Sequence, residues 1–286
     1  MAGAGMKDIK RRIKSVESTR QITKAMELVA SSKMRRAKEL AEKSRPQFRM
    51  LYETLSDIAS MNRDLSSDYV KARPVQRSCV VVVAGDRGLA GGYNTNVFKT
   101  AKALMDTLKN PIVVPVGNKA REYYLKRGVE LLDVDGVADI VEDFGMREVF
   151  HLSDKLCKAY KAKKFDTLYV VYTNFVSALS QEPGTLCILP ISEIADPNAK
   201  KREILYEPSA AAVFDKIVPQ YVAGLLLGAV AESFASEQAA RRTAMESATD
   251  NADEMIEKLG LSYNRARQGS ITQEITEIAA GAQAAQ

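Results

Sequence analysis

The residues whose types and spacing come nearest to chemistry are a run of glycines and charges, Gly85-Asp-Arg-Gly-Leu-Ala-Gly-Gly-Tyr. The run follows an apolar β-type segment and precedes a helical one, the setting in which glycine-rich loops cradle phosphates on backbone N–H groups. The spacing argues against that use. A dinucleotide fingerprint needs glycines at its first, third and sixth places, and a P-loop needs a closing Gly-Lys-Ser/Thr, neither of which is present. A tight strand-to-helix turn, in which glycine supplies unusual backbone angles, accounts for the same residues. The other constellations fail sooner. There is no GxSxG elbow and no HExxH, and His151 stands near Asp154 with no serine or cysteine motif tied to it. Cys79, Cys157 and Cys187 are far apart and form no CxxC, which fits a reducing compartment and makes a zinc site improbable. Asp253 and Glu254 read as a solvated helix face. No residue reads as catalytic, as a metal ligand or as a cofactor contact.

The elements that carry these residues are unusual. Alternating steps of three and four pick out Met6, Ile9, Ile13, Val16, Arg20, Thr23, Glu27, Ala30, Met34, Ala37, Ala41, Ser44, Phe48, Leu51, Leu55 and Ile58. Twelve of these sixteen positions are apolar, the seam of a coiled coil. Polar lapses at Arg20, Thr23 and Glu27 coincide with an apolar set one place off the seam: Ile22, Met26 and Val29. Either the helix drifts against its heptad, or Met26 faces a second partner. From about Ser209 a second long helical pattern runs to Ala284, with Met245, Ala248, Ala252, Met255, Leu259, Ser262 and Ala266 as its seam. At ~1.5 Å per residue the two arms would reach about 80 Å and 110 Å, too long to lie inside a globule about 50 Å across.

Between the arms the pattern changes. Ser78–Ala84, Ile112–Val116 and Leu168–Thr173 are β-branched or aromatic runs of the buried parallel-strand type, and Val97–Leu108 and Arg147–Tyr160 have helical spacing. The expected fold class is therefore α/β: a long antiparallel coiled coil of N- and C-terminal helices plus a small, doubly wound, Rossmann-like domain. The expected divisions are an N-terminal coiled-coil helix over 1–60, an α/β domain over 77–193 and a C-terminal coiled-coil helix over 209–286. Polar links fall at Met61–Gln76 and Ala195–Arg202.

Charge follows the same division. The 286 residues carry a net +5, but residues 1–50 hold 14 Lys+Arg against 5 Asp+Glu, and residues 209–286 hold 6 against 10. Opposite fields on the two arms favour their association. The basic cluster Lys33-Met34-Arg35-Arg36 fits a solvated helix face as well as it fits a binding role. No aromatic residue accompanies it before Phe48, so base stacking on a nucleic acid is unsupported. The composition, 46% hydrophobic and 27% charged, excludes a wholly disordered chain. The longest apolar run, Tyr221 to Ala231, is too short to span a bilayer. No secretory signal is read at the N-terminus. The last nine residues, Ile278 to Gln286, carry no charge and suit either a tip in an apolar sleeve or a fraying end.

Taken together, several segments resemble the gamma subunit family of the F-type rotary ATP synthase. They are Ile22-Thr-Lys-Ala-Met-Glu-Leu-Val-Ala, Ser32-Lys-Met-Arg, Asp86-Arg-Gly-Leu-Ala-Gly-Gly-Tyr-Asn, Ser236-Glu-Gln-Ala-Ala-Arg, Ala248-Thr-Asp-Asn-Ala and Tyr263-Asn-Arg-Ala-Arg-Gln-Gly-Ser-Ile-Thr-Gln-Glu-Ile-Thr-Glu-Ile. The resemblance spans essentially the whole chain. Many relatives carry Cys where this chain has Ala90, and no insertion like the chloroplast redox switch is present. The resemblance implies a non-catalytic central rotor shaft of a proton-translocating ATP synthase, coupling c-ring rotation to ATP synthesis or hydrolysis. Implied partners are three alpha and three beta subunits, the epsilon subunit and the membrane c ring, with no nucleic acid and no nucleotide bound directly.

By the same resemblance, Met26, Lys33, Arg35, Arg36, Arg241, Gln268 and Thr272 contact beta subunits, and Glu207 lies in the foot near the c ring. The implied place is peripheral, on the cytoplasmic face of a bacterial cell membrane. On this reading Arg241→Ala or Gln268→Ala slows coupled ATP turnover and leaves the chain folded. Two other classes remain: a nucleic-acid-binding coiled-coil protein, marked by a steep salt slope, and a nucleotide-using enzyme with its ligand at Gly85–Gly92.

Overall fold

A computed structural model describes residues 2–62, 65–71, 73–132, 145–191 and 205–284. The sheet is set by three apolar, β-branched runs. β1 (Ser78–Val83), β2 (Pro111–Val116) and β3 (Thr167–Phe175) are joined in parallel, and β4 (Gln181–Leu189) adds antiparallel to β3, giving the order β2-β1-β3-β4. Every residue of β1 is buried, as a central strand covered on both faces requires. The alternation of side chains divides the core in two. Val80 and Val82 face α2 (Tyr93–Met105) and α3 (Asn118–Leu125), packing with Val97, Ala101 and Tyr124. Cys79, Val81 and Val83 face the opposite cluster. There α4 (Met146–Lys161) contributes Val149, Leu152 and Leu156, and the long C-terminal helix contributes Phe214, Val218, Val222 and Leu226.

That helix, α5, runs Ala210–Ala284, and α1 runs Ala2–Met61; the helical backbone passes through Pro219 in the one and Pro46 in the other. Within the sheet-bearing part, α1 buries Leu55 and Ile58 in the same cluster as α4. Phe48 packs against Gly224, where any Cβ would overlap the edge of the phenyl ring. By composition and length α5 also holds one stretch able to cross a bilayer, an 18-residue window of mean hydropathy 1.4, contrary to the expectation from uninterrupted runs. Of that window 56% is buried inside the protein.

The chain divides into two units, Ser31–Arg241 and Met1–Ala30 with Arg242–Gln286. The second unit is an antiparallel helix pair. Its seam is built from small and polar side chains: Thr23, Ala30, Met245, Thr249 and Ala252 are all buried. The Thr23 and Thr249 hydroxyls hydrogen-bond at 2.8 Å, and Arg20 Nε meets Asp253 at 2.5 Å.

Three expectations need correction here. The seam passes straight through Thr23 instead of drifting to Ile22 and Val29, which stand 58% and 53% exposed. On α5, Met255 is 51% exposed and Ser262 is exposed, because the buried row runs through Thr249 and Ala252 toward half-buried Ile256 and Tyr263. The helices after β1 and β2 also differ, since α2 begins at Tyr93, four residues before the expected Val97, and α3 was not anticipated. The expected link at Ala195–Arg202 and the foot's expected end at 193 lie outside the described residues.

Candidate functional site

The loop between β1 and α2 sits at the carboxyl ends of the parallel strands, beside the place where the strand order reverses between β1 and β3. In doubly wound sheets that crevice takes the ligand. Here a stretch of α5 fills it. The Thr173 N–H donates to Ser233 Oγ at 3.0 Å, and Ser236 Oγ donates back to the Thr173 carbonyl at 3.3 Å. One turn further on, the Glu237 carboxylate, 3% exposed, packs so closely on Gly85 that a Cβ there would lie 2.6 Å from Oε1. Arg241 is 9% exposed and spans both partners, donating to Glu237 Oε1 at 2.5 Å and to the Gly88 carbonyl at 3.2 Å.

Several of the loop's other polar groups are engaged. The Gly85 N–H donates to Asn94 Oδ1 at 2.9 Å, and the Gly85 carbonyl accepts from the Lys119 N–H at 3.0 Å. Asp86 Oδ1 accepts from the Asn118 N–H at 3.0 Å, which satisfies the start of α3. Gly91 takes φ +53°, the left-handed turn the glycine run supplies. The carboxylate of Glu237 thus stands against the loop where the fold would offer a phosphate its cradle. Burial, reinforced by that carboxylate, drives the neighbouring Tyr93 phenol well above its ordinary range.

Nothing among the described residues assembles a reactive centre. His151 is exposed on α4. Cys79 and Cys157 are buried, and burial raises both thiols, Cys157 to about 11. Cys187 is exposed, with a thiol also raised by partial burial. Asp253 and Glu254 are held by Arg20 and Lys258. No group of three or more His, Cys, Asp or Glu converges for a metal among the described residues.

The anticipated contact residues fall into distinct settings. Arg35 and Arg36 are exposed, Lys33 and Met26 are half-buried, and Glu207 is exposed just before α5. Gln268 and Thr272 are exposed one helical turn apart, with Thr272 Oγ1 donating to the Gln268 carbonyl at 2.9 Å. Arg241 alone is turned inward.

The ATP synthase family model matches residues 5–285. An ATP synthase gamma chain from Ruminococcus albus is 50% identical over 279 residues, covering 96% of each chain. One from Alkaliphilus metalliredigens is 44% identical over 99% of each. The chain belongs to the ATP synthase gamma chain family.

Solved structures agree in fold with this gamma-family chain. A chain of the Euglena gracilis mitochondrial ATP synthase, in its OSCP/F1/c-ring assembly, superposes with a TM-score of 0.66 at 18% identity, covering 99% of this chain and 95% of that one. Another, from the rotor of the same enzyme, gives 0.63 at 20% identity. Within this gamma-family chain, Ser233, Ser236 and Glu237 are the site residues that sequence reasoning did not single out for a role. Their signal was present: four polar side chains, with Arg241, spaced by three, one and four in an alanine-rich stretch of the helix. That spacing places all four on one face.

Proposed function

We propose that this chain is the central rotor shaft of a rotary ATP synthase, turning within a ring of three alpha and three beta subunits whose beta subunits hold the catalytic sites. The observation that carries this is 50% identity to a gamma chain across 96% of both proteins. The crevice filled by α5 fits it, since Ser233, Ser236, Glu237 and Arg241 tie the long helix to the α/β domain there.

In this reading the α/β domain is the foot, seated with the epsilon subunit on a membrane c ring, and Glu207 faces that ring. The paired long helices form a coiled-coil shaft. Its surface is chemically uneven: basic at Arg35 and Arg36, apolar at Ile22, Leu28 and Val29, polar at Gln268 and Thr272. As the foot turns with ion flow, each beta subunit meets these faces in succession. A face that contacts one beta conformation better than another shifts that subunit toward it by the difference in contact energy. Met26 and the Lys33–Arg36 cluster meet beta directly, as do Gln268 and Thr272. Arg241 acts on the same partner through the loop whose Gly88 carbonyl it holds and whose Arg87 and Leu89 are exposed. The complex lies against the cytoplasmic face of a bacterial membrane.

The test is assembly. Mixed with its cognate alpha and beta subunits, the chain co-elutes at one copy per hexamer with sustained ATPase activity. A chain that never joins the hexamer overturns the proposal, and DNA binding with a steep salt slope would then point to the basic arm.

A further inference from the structure

The crevice filled by α5 has a consequence for how force passes through the chain. Ser31–Arg241 packs as one unit, and the four residues that fix α5 in its crevice, Ser233, Ser236, Glu237 and Arg241, lie within the last nine of that unit. Beyond Arg241 the helix runs on without interruption to Ala284. A helix held only by apolar packing can rotate about its axis by sliding side chains over one another. One held by a buried carboxylate pressed on a glycine backbone, and tied by a guanidinium to a loop carbonyl, cannot turn without breaking charged hydrogen bonds that are largely shielded from water.

We infer that Glu237, with Arg241 as its counter-ion and Gly85 and Gly88 as its seat, is a positioning residue that keys α5 against rotation in the α/β domain, so that torque on the domain reaches the distal helix without slip. The inference rests on the rotor reading above. It assigns Gly85 a role separate from turn geometry: among the glycines of this loop it is the one where an added Cβ would strike Glu237, whereas at Gly88 nothing lies within 4 Å.

The experiment uses the complete ATP synthase in sealed vesicles and compares ATP-driven ion pumping with ATP hydrolysis, per assembled complex. Gly85→Ala displaces the Glu237 carboxylate while leaving both charges in place. The double variant Glu237→Gln/Arg241→Gln removes both charges together, so neither is left buried and alone. Both are expected to assemble and hydrolyse ATP, with the ratio of pumping to hydrolysis lowered about three- to tenfold, the range over which coupling residues ordinarily act. Gly184→Ala, on the edge strand β4 away from the key, where a Cβ meets open space, keeps the wild-type ratio. A ratio unchanged in both keyed variants overturns the inference, as does a loss of assembled complex with the ratio per complex intact, which is the mark of a merely structural role. Failure of the wild-type chain to assemble overturns the rotor reading instead, and this inference with it.

Discussion

Asp166, immediately before β3, shows how single residues pin the segment that leads into the sheet. Its carboxylate accepts from Arg73 Nε at 2.7 Å and from the backbone N–H groups of Gln76 and Arg77 at 2.8 and 3.1 Å. Burial works against its ionisation, but these donors outweigh it, and the carboxyl is held below its ordinary value of 3.8. The Arg73 guanidinium also donates to the carbonyls of Tyr160 and Phe165 and lies over the Tyr160 ring. Asp166→Asn should therefore cost about 1.5–3 kcal/mol at neutral pH, the usual worth of hydrogen bonds to a charged group. The sign of the pH dependence follows from the lowered pKa. The contribution is complete above the unfolded value near 3.8 and is lost as pH falls through the lower folded value. Urea titrations of both proteins should give a constant difference above about pH 5 that narrows below about pH 4. A difference that widened in acid would contradict this. The thiols make a simpler test: alkylation of the native chain should label Cys187 first, with Cys79 and Cys157 protected by burial and by thiols kept protonated.

At the scale of elements, the helix contacts depend on small residues more than on large ones. Gly224→Ala puts a methyl group where the Phe48 ring lies, and should cost about 1–3 kcal/mol as overpacking, recovered in part by adding Phe48→Leu. In the helix pair, Thr249→Val alone leaves the buried Thr23 hydroxyl without its partner across the seam and should cost about 1 kcal/mol. Adding Thr23→Val should bring stability back toward wild type, because two apolar isosteres replace a satisfied pair. Denaturation midpoints of the single and double variants check both.

The same seam shows where the sequence was legible. The two long helices, the three parallel strands and α4 could be read because their periods are strong and sustained. The pairing face was read in part: Thr23, Ala30, Met245 and Ala252 stood on the expected seams and are buried, whereas Thr249 was missed and Met255 and Ser262 are exposed. A rule that seeks apolar residues in a seam treats Thr23 as a lapse and promotes Ile22 and Val29, yet close helix approach selects small side chains, and a threonine that finds a partner is as good there as a valine. β4 was hidden for another reason. It is an edge strand with most of its residues partly or fully exposed, carrying Pro183 and Gly184. Such residues are tolerated at an edge because half of the strand's hydrogen bonds face away from the sheet, and they erase the alternation that would reveal it.

For the whole molecule, Arg241 and Gln268 part company. The resemblance gave both the same role and implied that removing either would leave the fold intact. Gln268 is exposed on the helix pair, where beyond the helical backbone ladder its carbonyl accepts from Thr272 Oγ1. Gln268→Ala should leave the thermal midpoint within about 1 °C of wild type, as surface truncations do. If it is a beta contact, coupled ATP turnover of the assembled complex should still fall, roughly threefold or more for a residue near the centre of an interface. For Arg241 an unchanged fold no longer follows. Arg241→Ala strips the counter-ion from a carboxylate that is 3% exposed, and a buried charge deprived of its partner costs about 3–5 kcal/mol. A loss of turnover in that variant therefore mixes instability with any lost contact. Measuring the thermal midpoint beside turnover separates the two residues: turnover lost at constant stability marks a contact surface, as expected at Gln268, and turnover lost together with stability marks the internal key at Arg241. A destabilised Gln268→Ala, or an Arg241→Ala as stable as wild type, would reverse the assignment and with it the argument that force enters α5 through its buried charges and leaves through its exposed amides.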